Sequence, residues 1–129
     1  MHKYASMLLL CLLLTACAAR TISPRGGLYR MSAPPETVSA PSLSLDAEAK
    51  TFMFSYDPLS SYLPVGTFSQ EDDVLLCRSD DELYLYAFRI VNETTLAFIQ
   101  QESADVTLID DRVGEQVTDG SVFLLVADP

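Results

Sequence analysis

The sequence predicts an all-β domain, a small antiparallel meander of about seven or eight strands closing into a barrel or a sandwich. Three observations carry this. Residues alternate in type with a period of two, as in the aromatic Phe52, Phe54 and Tyr56 against the non-aromatic Thr51, Met53 and Ser55. A period of two puts one face of an extended segment in a core and the other in water. The alternating runs are rich in aromatic and β-branched residues, which suit a pleated, half-buried surface. Acidic or polar turns recur about every 8–12 residues, and no helical stripe interrupts them.

The elements follow in order. Met1 to Tyr4 is a short, weakly basic start, and Ala5 to Leu14 is an apolar run. At about ten residues it is half of what a membrane-spanning helix needs, and it has the length of a signal-peptide apolar region. It ends in Leu14-Thr15-Ala16-Cys17. The next stretch, to residue 41, is rich in Ser, Thr, Pro, Gly and Ala. Such a composition buries too little apolar surface to offset the entropy of ordering, so 17–41 reads as a flexible tether. Within it, Leu28-Tyr29-Arg30-Met31 is the one island able to dock on the domain as a first strand.

The globular domain is placed at 42–129. Leu43 and Leu45 open it, Asp46 to Lys50 turns the chain, and Phe52, Phe54 and Tyr56 form the second strand. Asp57 to Tyr62 reads as a loop or a single helical turn, and Val65 to Ser69 resumes a strand. After Glu71-Asp72-Asp73, Leu75 and Cys77 alternate with Leu76 and Arg78. The longest strand runs from Leu83 to Val91, with Tyr84, Tyr86, Phe88 and Ile90 on one face. Asn92 to Thr94 turns into Thr95 to Gln100, where Leu96 and Phe98 share a parity. Val106 to Ile109 and Val122 to Val126 read as the last two strands.

Charge and rare residues narrow the chemistry. Residues 42–129 carry seventeen acids against Lys50, Arg78, Arg89 and Arg112, whereas 17–41 carry three arginines against Glu36. A domain so acidic is a poor match for nucleic acid, whose phosphates require Lys and Arg. The single histidine is His2, so residues 17–129 offer no imidazole as a base or metal ligand. Beyond Cys17 the sole thiol is Cys77, in the apolar run Val74 to Cys77. It cannot close a disulfide within the domain and reads as a buried, inert thiol.

Leu14-Thr15-Ala16-Cys17 resembles the lipobox of bacterial lipoproteins: an apolar residue, a small or hydroxyl residue, a small residue, then cysteine. The resemblance implies a signal peptide at 1–16, cleavage after Ala16 and lipidation of Cys17. It also implies an extracytoplasmic site on the cell membrane. Ala18 stands where an aspartate would hold a lipoprotein at the inner membrane, so an outer membrane is open if the host has two. Two or more acyl chains anchor stably where one does not.

The domain resembles small lipocalin-like β-barrel lipoprotein domains of Gram-positive bacteria. The likeness rests on a Leu-x-Leu, turn, Phe-x-Phe hairpin, the stretch Pro58 to Phe68 and a Tyr-x-Phe strand. It implies a barrel and carries no activity. Copper-responsive lipoproteins of comparable type have a Cys-x-x-Cys motif that this chain lacks, so no copper role is carried over.

Ser60, Ser61 and Tyr62 lie between Pro58 and Pro64 and are candidates to cap a barrel mouth and touch a ligand. A loop held by its own hydroxyls is the structural reading of the same residues. Tyr84, Tyr86 and Phe88 fill the core if the barrel is packed and line an apolar pocket if it is hollow. A serine nucleophile would have only Lys50 as its base, which argues against catalysis. The acidic turns lack the spacing of a calcium loop, and no cofactor is implied. The expected function is a non-catalytic, lipid-anchored binding module. Its partner would be an envelope protein or a small apolar ligand, apart from the membrane held through Cys17. The alternative is a passive accessory component of the envelope.

Overall fold

Eight strands follow one another among the described residues, which are 21–37 and 39–127 of a computed structural model. They are β1 (Gly27–Met31), β2 (Ser42–Asp46), β3 (Thr51–Ser55), β4 (Val65–Glu71), β5 (Val74–Ser79), β6 (Leu85–Asn92), β7 (Thr95–Phe98) and β8 (Val122–Ala127). Each pairs antiparallel with the next, and β8 pairs back onto β1, so the meander closes into a barrel. Closure leaves no strand edge unpaired. Between barrel and sandwich, the fold is the barrel.

The alternation sets the register. Leu43 faces Phe54 and Leu45 faces Phe52 across β2 and β3, and all four are buried. A slip by one residue would turn the whole set outward. Inside, Phe54 is the hub: its ring lies 5.1 Å from Tyr86, 5.4 Å from Phe88 and 6.0 Å from Phe123, each edge to face. Phe88 also meets Phe98 at 5.6 Å and Phe123 at 5.4 Å. Such pairs add about 0.5–1.5 kcal/mol each beyond area burial. The interior is a solid aromatic core.

The two ends differ. Short turns at 47–50, 72–73 and 93–94 close the hairpin end. The loops 32–41, 56–64, 80–84 and 99–121 make the other end. The longest of them includes a 3₁₀ turn at Gln100–Glu102 and buries Val106, Leu108 and Val117.

Three expectations are corrected. The tether at 17–41 contains β1, which pairs with both β2 and β8, so the folded domain begins well before 42. Five alternating residues suffice for a strand even where the surrounding composition is that of a linker. The N-terminal approach is ordered as well, since the Gln70 amide donates to the Ile22 carbonyl at 2.7 Å and Arg25 N–H to the Glu93 carbonyl at 2.8 Å. Second, Val106 to Ile109 joins no ladder. Third, β6 starts at Leu85, leaving Leu83 and Tyr84 in the preceding turn. The lipobox Leu14 to Cys17 and the signal run lie outside the described residues.

Candidate functional site

The loop end of the barrel gathers the residues singled out from the sequence, and it sorts them into two groups. Tyr86 and Phe88 are 1% and 0% exposed and belong to the packed interior. Tyr62 and Tyr84 are 39% and 40% exposed, with ring centroids 5.6 Å apart. Tyr84 in turn lies 6.5 Å from Tyr86, which lies 6.2 Å from the half-buried Tyr56. A run of four tyrosines therefore passes from the core to the surface. Ser60 turns its own loop, its hydroxyl accepting the Tyr62 N–H at 3.1 Å. Ser61 is exposed beside it. Lys50 sits at the hairpin end over the Phe68 ring, so no base is brought to either serine.

Two aspartates staple three loops into this surface. Asp57, nearly buried, accepts the Leu59 N–H on one oxygen and the Ile109 N–H on the other, at 3.0 and 2.9 Å. It ties the 56–64 loop to the 99–121 loop. Asp81 accepts the Ser79 hydroxyl, the Leu83 N–H and the Tyr62 hydroxyl, at 2.5, 3.0 and 2.9 Å. It ties the 80–84 loop to Tyr62. The Ser79 hydroxyl and Leu83 N–H hold the Asp81 carboxyl below the usual carboxylate range, with help from Tyr62. Partial burial and the neighbouring Asp81 push the Tyr62 hydroxyl up. Burial does the same to Tyr86 and Tyr56.

Around the staples stand exposed apolar side chains: Leu59, Leu63, Leu83 and Ile109, the last two 71% and 69% exposed. Clustered exposure of this kind marks interaction surfaces more than scattered exposure does. A second feature of this end is a polar cleft of about 420 Å³ between residues 100–107 and 116–118. The Gln116 amide spans it, donating to the Val106 carbonyl and accepting the Leu108 N–H.

Asp57, Asp81, Leu83 and Ile109 were not read as site residues from the sequence. The local half of each staple is a familiar turn pattern, an aspartate accepting the N–H two residues on. The long-range half has no sequence signal.

Among the described residues, no group of three His, Cys, Asp or Glu side chains converges to hold a metal ion, and no helix is long and apolar enough to cross a membrane. No family model, curated protein or solved structure gives a significant match to the chain.

Proposed function

We propose that this protein is a lipid-anchored, extracytoplasmic binding module whose loop end engages another protein of the cell envelope. One observation carries the reading: aromatic rings pack the barrel interior, while a second aromatic and aliphatic set stands exposed on loops fixed by Asp57 and Asp81. A small apolar ligand would have to displace Phe54, Phe88 and Phe123 to enter the barrel. A protein partner can use the outer surface as it stands.

The anchor fits this orientation. Ile22 is held at the hairpin end by Gln70, and four residues stand between it and Cys17, a span of five Cα steps. That span reaches about 17 Å at most. Lipid on Cys17 would keep the hairpin end near the bilayer and point the loop end away from it.

Two experiments test this. Full-length protein should take up a labelled fatty acid in cells and remain in the membrane fraction, whereas Cys17→Ser should do neither. A photo-crosslinking residue at position 83 should capture a cell-envelope protein where the same residue at position 48 captures none. Equal capture from both ends, or from neither, removes the binding module.

A further inference from the structure

We infer that the partner segment taken by the loop end is both cationic and apolar: Lys or Arg side chains interspersed with leucine-like or aromatic ones. The inference rests on the protein-binding reading above and names the chemistry of the partner.

The apolar half follows from the exposed set Leu59, Tyr62, Leu63, Leu83, Tyr84 and Ile109. The hydrogen bonds of Asp57 and Asp81 hold their loops in place before any partner arrives. A preformed surface loses little ordering entropy on binding.

The cationic half follows from the rim. The four loops of this end carry eleven carboxylates: six between residues 99 and 121, three at Asp80-Asp81-Glu82, then Asp57 and Glu36. Against them stands one cation, Arg112. It is already taken by Asp110, whose two oxygens accept its Nε and Nη2 protons at 3.0 and 2.9 Å. Asp80 and Glu82 are exposed beside the Tyr62–Tyr84 pair and make no ion pair among the described residues. An incoming guanidinium or ammonium therefore meets carboxylates at the rim and tyrosine ring faces inside it, and both attract a cation.

The same charge argues against the other occupants. A second copy would bring identical carboxylates against this rim, and an anionic bilayer would be repelled in the same way. Complementary charge at a rim speeds encounter and rejects wrong partners, while the apolar centre supplies most of the affinity.

The test uses the full-length lipoprotein in nanodiscs of phosphatidylcholine. A fluorescent twelve-residue peptide of alternating Lys and Leu is titrated against it, with the peptide of alternating Glu and Leu as its control. The Lys-Leu peptide should bind and the Glu-Leu peptide should not. Leu83→Ser should weaken binding at least tenfold, and so should the pair Asp80→Asn with Glu82→Gln. All three side chains are exposed, so folding should survive, which an unchanged melting temperature would show. The hairpin-end pair Glu48→Gln with Asp72→Asn should leave binding unchanged. Equal losses from the two ends, or indifference to Leu83→Ser, would mean diffuse attraction to an acidic protein and overturn the inference.

Sequencing the peptide cross-linked from position 83 in cells separates this inference from the reading beneath it. A captured segment with net positive charge and apolar residues supports both. A neutral or acidic segment overturns the inference and leaves the binding module standing. Capture of lipid, of a second copy or of nothing removes both.

Discussion

Asp57 accepts the backbone N–H of Ile109 at 2.9 Å across fifty-two residues of sequence, while its other oxygen accepts Leu59 N–H in its own turn. One nearly buried carboxylate thus fixes the longest loop of the protein to the loop between β3 and β4. The same two loops also meet where Gly114, at a φ of +94°, packs on Pro58. A Cβ there would lie 3.1 Å from the proline ring. The loop end is held as one surface by a few directed contacts.

Replacing Asp57 with Ala should therefore cost about 2–3 kcal/mol, since hydrogen bonds to a charged acceptor contribute about 1.5–3 kcal/mol each and Leu59 N–H can recover water. Asp57→Asn keeps one acceptor and should cost about half as much. Urea denaturation gives the stabilities, and amide exchange at Ile109 gives the local effect. Loss of stability without faster exchange at Ile109 would mean that the staple does not hold the loop.

Gly66 faces Ser79 across β4 and β5, and a Cβ built on it would fall 2.0 Å from the Arg78 carbonyl oxygen and 2.9 Å from the Ser79 Cα. Both obstacles are backbone. Ordinary overpacking costs about 1–3 kcal/mol because side chains can give way. Here the strand itself must move, so Gly66→Ala should cost ~3 kcal/mol or more. A denaturation midpoint within experimental error of wild type would show that the β4–β5 pairing has slack.

How much of this was legible in the sequence depends on what period two encodes. It reports burial of one face. That is why the set from Leu43 to Phe54, and Leu75, Cys77, Leu96 and Phe98, were found where the sequence put them. It does not report pairing. Residues 106–109 alternate as a strand should, with Val106 and Leu108 buried and Thr107 and Ile109 exposed. Yet their N–H groups at 107, 108 and 109 go to the side chains of Asp105, Gln116 and Asp57. β1 failed the other way, five alternating residues hidden among prolines and glycines. The tyrosine pair at the loop end was half legible: Tyr62 and Tyr84 were candidates, but Asp81 brings them together from two different loops.

Alkaline pH should unfold the barrel from within. Burial pushes the Cys77 thiol and the Tyr86 hydroxyl above their ordinary values of 9.0 and 10.0. Both folded groups hold their protons more tightly than the unfolded chain does. Their contribution is complete well below the thiol's ordinary 9.0 and is lost as pH rises through it, because the unfolded chain releases protons that the folded one keeps. The melting temperature should stay level up to about pH 8.5 and fall above it. Cys77→Ala should move the onset toward pH 10. An onset unchanged by Cys77→Ala would assign the fall to tyrosine alone.

The N-terminal approach to β1 gives the last prediction. The Tyr29 ring is fully buried, and its hydroxyl reaches the Arg25 carbonyl at 2.6 Å and the Glu93 carbonyl at 3.1 Å. Arg25 N–H adds a bond to the same Glu93 carbonyl, whereas the Arg25–Glu93 ion pair is exposed and 3.6 Å long. Exposed pairs of that kind contribute little, so the hydroxyl and the backbone bond hold the segment. Tyr29→Phe removes one of them at a cost of about 1 kcal/mol and leaves the ring in the core. Trypsin should then cleave after Arg25 several times faster while the barrel stays folded. Glu93→Gln, which touches only the ion pair, should leave cleavage unchanged. If Glu93→Gln accelerates cleavage as much as Tyr29→Phe, the surface pair is what orders the approach, and that order becomes sensitive to salt.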